Sequence, residues 1–274
     1  MSILKIAKQV FRTAFPVWTE KRSHKKRYDR LAGETADIAF SFMNYGYCPI
    51  SDDGELPALD SRDEDFKYHI HLYHHVANQI TIKDLNVLEV GSGRGGGAYY
   101  MKKYLSAAAV TGVDLSEAAV ELCRANFPLD KLSFTQGDAE RLPFEDNSFD
   151  VVVNIESSHC YPDLLTFFKE VKRVLRPKGH FLYADFGDVN RMKEVENQLL
   201  ISELVLTKTT DITENVVKSI EVDNQRREEV IRSVSEDDER FNDLANFSRL
   251  VGTEGYQNFC QKQEIYKSFL LEKP

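Results

Sequence analysis

No pair of closely spaced cysteines occurs in this chain. Its four cysteines, Cys48, Cys123, Cys160 and Cys260, are scattered along the 274 residues and form no Cys-x-x-Cys. That pattern argues against a disulfide framework or a thiolate zinc site and fits a reducing cytoplasm. Cys160 alone draws notice, because it follows His159 in a polar cluster. No apolar run approaches the ~20 residues of a membrane span. Lys5, Lys8 and Arg12 break up the apolar residues at the N-terminus, which reads against a secretory leader. Internal repeats and low-complexity stretches are missing too. The length suits one sizeable core with an appended cap.

Acidic residues outnumber basic ones, but not everywhere. Residues 1–30 carry nine Lys/Arg against Glu20 and Asp29, a net of +7. The rest must carry −16 to reach the total of −9. An acidic body argues against nucleic acid as a partner. The basic arm suits an anionic membrane surface, so the protein reads as cytoplasmic with a peripheral membrane contact as one option. Within that arm, Ile3, Ile6, Ala7, Val10 and Ala14 recur at helical spacing, which predicts a short helix over 2–15 ending before Pro16. Such a helix either lies in a membrane interface or packs on the body.

Residues 35–48 are apolar and aromatic and end in Met43-Asn-Tyr-Gly-Tyr47. A loop is expected over 49–63 and a helix over 64–80. From Asn86 the pattern alternates. Strands are expected at 87–90, 109–113, 132–135, 151–155 and 181–184, with helices running to about 105, over 116–125 and over 164–174. The strands are nearly continuous apolar runs, as when both faces are covered. The fold class is therefore α/β, a doubly wound parallel sheet. Past Phe186 the alternation stops. Residues 190–245 read as charged and helical without a strand, then a helix over 248–261 and a closing strand over 264–272. The expected division is an N-terminal helical segment (1–80), a ligand-binding core (81–187 and 248–274) and a helical lid (188–247).

Five clusters follow the core strands: Glu89-Val-Gly-Ser-Gly-Arg-Gly-Gly-Gly97, Val113-Asp-Leu115, Gly137-Asp-Ala139, Asn154-Ile-Glu-Ser-Ser-His159 and Tyr183-Ala-Asp185. In an open parallel sheet the ligand binds at the carboxyl ends of the strands, so the five outline one pocket. Gly91, Ser92 and Gly93 open a loop whose backbone can approach a ligand closely. It also matches a dinucleotide fingerprint, which alone is weak. Asp114 suits a pair of ribose hydroxyls. Asp138 suits an adenine amino group, with the Ala139 N–H towards a ring nitrogen, and Leu115 completes that wall. Each Asp taken singly also reads as a turn or helix cap. Glu156 reads as reaching the cofactor or the acceptor, or as an ion-pair partner of a neighbouring helix.

The series resembles class I S-adenosylmethionine-dependent methyltransferases, with their Rossmann-like sheet. Within them it is similar to the phthiotriol/phenolphthiotriol dimycocerosates methyltransferase family, over about Ala36 to Lys273. The resembling stretches include His69-Ile-His-Leu-Tyr-His74, Leu88-Glu-Val90, Gly95-Gly-Gly-Ala98, Gly137-Asp-Ala-Glu140, Leu142-Pro-Phe144, Ser158-His-Cys-Tyr-Pro162 and Arg173-Val-Leu-Arg-Pro177. The resemblance implies S-adenosylmethionine as cofactor. It implies that Glu89 supports the loop and the methionine ammonium, and that Tyr73 lines the cofactor pocket. The family methylates hydroxyls on long polyketide lipids, so the implied partner is a hydrophobic small-molecule acceptor. The lid and the arm depart from it.

Methyl transfer to a hydroxyl needs alignment and a base. His159, just past the fourth strand, is the candidate base, and Asp185 at the end of the fifth is its candidate orienter. Related small-molecule O-methyltransferases carry a similar Glu-Ser-x-His followed by Ala-Asp-Phe. The alternative is that both residues only shape the pocket. Tyr45 and Tyr47 either close over the cofactor or pack in the core. His71 and His75 have a zinc-compatible spacing, but no Glu follows in the motif and no third ligand is evident, so His69, His71, His74 and His75 read as a packing helix without metal. Transfer to carbon or nitrogen stays open on the same core. A nicotinamide-dependent oxidoreductase lacks a supporting Tyr-x-x-x-Lys, and a non-catalytic cofactor binder fits less well than an enzyme.

Overall fold

The structure, a computed structural model, describes residues 41–50 and 56–274. The helix expected over 2–15, the basic arm, the start of the stretch 35–48 and residues 51–55 of the expected loop lie outside the described residues.

Among the described residues, seven strands form one sheet: β1 (Asn86–Val90), β2 (Ala109–Asp114), β3 (Leu132–Gln136), β4 (Phe149–Ile155), β5 (Leu175–Asp188), β6 (Val205–Asp211) and β7 (Glu264–Glu272). Their order is β3-β2-β1-β4-β5-β7-β6. The first five are parallel, and β7 runs antiparallel between β5 and β6. The chain leaves β1 towards β2 on one side and returns to β4 on the other. This reversal opens a crevice at the carboxyl ends of β1 and β4, where ligands of such sheets bind.

Period-two burial builds both faces of the sheet. Val87, Val151, Val153 and Leu182 enter one apolar cluster, while Leu88, Val152, Phe181 and Tyr183 enter another. The first is covered by α1 (Lys67–Ala77), α2 (Gly96–Lys103), α3 (Glu117–Asn126) and part of α6 (Thr213–Val234). The second is covered by α4 (Leu164–Val174) and α5 (Val189–Ile201). Leu164, Phe167, Phe168, Val171 and Val174 make the buried stripe of α4, and Asp163 caps it by accepting the Thr166 N–H at 3.0 Å. Two short helices, α7 (Asp238–Phe247) and α8 (Glu254–Cys260), complete the chain before β7.

The stretch expected to be wholly helical, 190–245, contains β6. Its sequence, Val-Leu-Thr-Lys-Thr-Thr-Asp, is almost entirely exposed and has no apolar run. Pairing with β7 makes it a strand, and that partner is some sixty residues away in sequence. The helix expected over 248–261 is confined to Glu254–Cys260. α5 buries Met192, Val195 and Leu199 against the sheet. α6 packs Val216 and Ile220 into the first cluster.

Candidate active site

The glycine loop leaves β1 and turns back over the end of β2. Gly91 and Ser92 both donate their N–H to Val113 O, at 2.8 and 3.0 Å. Gly91 has φ +70°, and a Cβ there would stand 1.9 Å from Ser157 Oγ. Only glycine closes this turn against the end of β4. Gly93 N–H donates to Asp114 Oδ2 at 2.8 Å, and Ser116 N–H donates to Asp114 Oδ1 at 2.9 Å. Asp114 is thus aimed at the crevice by two backbone donors.

One pocket at these strand ends is lined by Gly91, Gly93, Asp114, Leu115, Asp138, Ala139, Glu156 and His159 together. Cys160 lines it as well. Three residues expected at the cofactor stand behind it. Ser92 is buried and does not line it. Glu89 is buried too, and its Oε1 accepts from the Tyr73 hydroxyl at 2.7 Å. Its Oε2 is buried with no partner among the described residues. Burial pushes the Glu89 carboxyl up to about 8, partly offset by the Tyr73 hydroxyl. A cationic ammonium is the kind of group that would satisfy this orphaned oxygen and favour the ionised carboxylate. With the close-approach loop and the paired strand-end carboxylates, it makes a cradle suited to a nucleoside carrying an amino acid.

The opposite rim holds a buried ion pair. Asp185 ends the core-facing part of β5 and is 1% exposed. Its Oδ1 lies 2.9 Å from His159 Nδ1 and accepts the Phe186 N–H at 2.9 Å. Its Oδ2 accepts from Ser158 Oγ at 2.5 Å and from the His159 N–H at 2.9 Å. Burial raises the Asp185 carboxyl, but His159 and these donors outweigh it and hold it below the ordinary carboxylate range. Burial conversely lowers His159, and the Asp185 charge and hydrogen bond outweigh that, leaving it well above its ordinary 6.5. The His159 side chain keeps 26% exposure, on the pocket side.

Glu156 sits in the left-handed region at φ +48°. Its Oε1 accepts the Tyr45 N–H at 2.8 Å, and burial pushes its carboxyl up to about 7. Of the two tyrosines expected near the cofactor, Tyr45 lines the pocket, whereas Tyr47 is buried and stacks on His75 at 4.4 Å. The histidines of α1 diverge to separate partners. His69 Nδ1 contacts Asn44 O at 2.7 Å, His74 Nδ1 contacts the Tyr100 hydroxyl at 2.7 Å, and His75 Nε2 lies 3.3 Å from Ser268 Oγ.

Met43, Phe186 and Phe247 also line the pocket, as does Tyr161. Met43 lay within a segment read only as apolar. Phe247 ends α7, and no local pattern ties it to a pocket built 60 to 150 residues earlier. Arg249, just beyond, is buried and joins Glu264 at 2.5 Å. Its guanidinium lies over the rings of Tyr45, Phe186 and Phe259 at 5.1, 4.9 and 4.3 Å.

A family model described as a methyltransferase domain matches residues 88–183. The chain is 38% identical over 224 residues to the phthiotriol/phenolphthiotriol dimycocerosates methyltransferase of Mycobacterium leprae, covering 82% of this chain and 77% of that protein. It is 41% identical over 215 residues to the fatty-acid O-methyltransferase of Mycolicibacterium smegmatis, covering 78% of each. Its fold is similar to geranyl diphosphate C-methyltransferase from Streptomyces coelicolor, with TM-score 0.66 and 14% identity over 93% of this chain and 98% of that one. Phosphoethanolamine N-methyltransferase 2 of Haemonchus contortus is similar as well, with TM-score 0.63 and 19% identity over 74% and 52% of the two chains.

Proposed function

The chain belongs to the phthiotriol/phenolphthiotriol dimycocerosates methyltransferase family of class I S-adenosylmethionine-dependent methyltransferases, and we propose that it methylates a hydroxyl oxygen of a hydrophobic, lipid-type small molecule. The observation that carries the oxygen is the His159–Asp185 pair at 2.9 Å, facing the same pocket as the glycine loop. The relatives named for dimycocerosates and for a fatty acid support the lipid character of the acceptor.

S-adenosylmethionine supplies a methyl group on a sulfonium, open to in-line displacement. Gly91 and Gly93 let the backbone approach it, with Ser92 shaping the loop from behind. Asp114 with Leu115 would hold the ribose side, Asp138 and Ala139 the adenine, and Glu89, steadied by Tyr73, the ammonium. His159 Nε2 takes the acceptor's hydroxyl proton while Nδ1–H stays on Asp185. Asp185 fixes the tautomer and stabilises the imidazolium that forms. Glu156 holds Tyr45 across the pocket, and Met43, Tyr45, Phe186 and Phe247 exclude water.

The test is transfer of labelled methyl from S-adenosylmethionine into an organic extract of source cells, followed by NMR of the labelled product. A methoxyl signal is expected, and a methyl on carbon or nitrogen would overturn the oxygen reading. His159→Ala should leave S-adenosylhomocysteine affinity nearly intact and lower turnover by ~10²-fold. Unchanged turnover would remove His159 from the mechanism.

A further inference from the structure

A second cavity, about 530 Å³, lies between the 42–45 segment, α1 and the α6–α7 hairpin. That size is within the ordinary range of small-molecule sites. Met43, Tyr45 and Phe247 line both this cavity and the strand-end pocket, so the two spaces share a three-residue wall. α6 contributes Val230, Ile231 and Val234 to it, and α7 contributes Leu244 beside Phe247. Arg94, Arg226, Arg227 and Arg240 line it as well. Glu236, Asp237, Glu239 and Asp243 are exposed around the α6–α7 turn, which marks the outer end.

Apolar residues of α6 and α7 therefore make only part of its wall. Ionic contacts fix α6 beside it. Asp223 of α6 pairs with Arg226 and Arg227, at 2.5 and 3.0 Å. Arg227 donates to Tyr45 O at 2.8 Å, and Arg226 Nη2 donates to His69 Nε2 at 3.1 Å. The far end of the hairpin is fixed by Arg249 on Glu264 and on the Tyr45 ring. Through these contacts α6 is tied to α1 and to the Tyr45 backbone.

We propose that this cavity is the compartment for the aliphatic chain of the acceptor, and that Met43, Tyr45 and Phe247 are the gate through which its hydroxyl end reaches His159. The proposal rests on the acceptor reading above and adds where the chain lies and which residues select it. A linear chain suits the apolar residues that α6 and α7 present to the cavity, with its end near the charged turn. Acceptor selectivity is then a matter of fit along α6, separate from cofactor binding.

The probe is dansylated undecanoic acid, titrated into the full chain saturated with S-adenosylhomocysteine and read by blue-shifted dansyl emission. Binding is expected, and Val230→Trp and Val234→Trp should each weaken it by about tenfold or more by filling the cavity. S-adenosylhomocysteine affinity, measured by calorimetry, should hold in both variants and certify their fold. Val234→Phe, a milder filling, should give an intermediate loss. Probe binding that survives all three variants, absence of probe binding by the cofactor-saturated protein, or displacement of the probe by S-adenosylhomocysteine would each overturn the compartment. Failure of the wild-type chain to bind S-adenosylhomocysteine would instead sink the enzyme reading itself, and the compartment with it.

Discussion

As the proposed base, His159 depends on its surroundings more than on its type. Asp185 receives four donors on two oxygens and so stays ionised in a buried place. Its charge holds the imidazole protonated above 6.5. A base must first lose that proton, so acceptor kcat/KM should rise with pH through the raised value. Asp185→Asn removes the opposing charge and leaves burial, which lowers His159. The rising limb should therefore move to lower pH while the plateau falls. A pH–rate profile that keeps its midpoint in Asp185→Asn would contradict the pairing. The shift also has a sign for stability. The pair's contribution is complete below His159's ordinary value and is lost as pH rises through the raised one. His159 and Asp185 were legible in sequence because strand ends in a parallel sheet share one edge. Ser158, buried on the same carboxylate, was not, since its neighbour in the sequence looked the more reactive.

At the scale of elements, α6 is held by charge as much as by apolar area. Asp223 and Arg227 are each 6% exposed, and burial of Asp223 is outweighed by Arg226 and Arg227, which keep its carboxyl low. Removing one partner leaves an uncompensated buried charge. Asp223→Ala should cost about 3 kcal/mol in denaturant unfolding, and Asp223→Leu with Arg227→Leu should recover much of it. A double variant as weak as the single would show that the ion pair is not what the single loses. The lowered carboxyl gives stability present above its ordinary 3.8 and lost as pH falls through the lower value. None of this was readable beforehand. A charged helix in sequence shows no difference between an exposed pair and one that clasps a backbone carbonyl 182 residues away. β6 escaped for a related reason, since an exposed edge strand has no apolar run of its own. The core strands, buried on both faces, carried their signal locally.

For the whole molecule, the parallel half of the sheet and the pocket are one unit. A ligand touching the ends of β1 to β4 binds only when those strands are aligned. S-adenosylhomocysteine at a hundredfold excess over its Kd should add about 2.7 kcal/mol and raise Tm by several degrees. A Tm indifferent to the ligand would separate the cradle from the fold. The doubly wound class was legible from alternation alone. The way α6 and α7 sit against α1 and the 42–45 segment depends on contacts between segments far apart, and no local pattern encodes those.

The position of β7 has a further consequence. It is the last strand in the sequence yet lies inside the sheet, bonded to β5 over nine residue pairs and to β6 on its other side. A polypeptide stopping at Gln263 would carry a vacant slot with an unpaired edge on each flank, since β5 and β6 cannot meet without what belongs between them. Such a slot is a receptor for a strand. A separate peptide of residues 264–274 should complement the shortened chain and restore methyl transfer, because Asp185 and Phe186 pair directly with Lys267 and Tyr266. The enzyme would then be divisible into two pieces that report, by their activity, on whether they have been brought together.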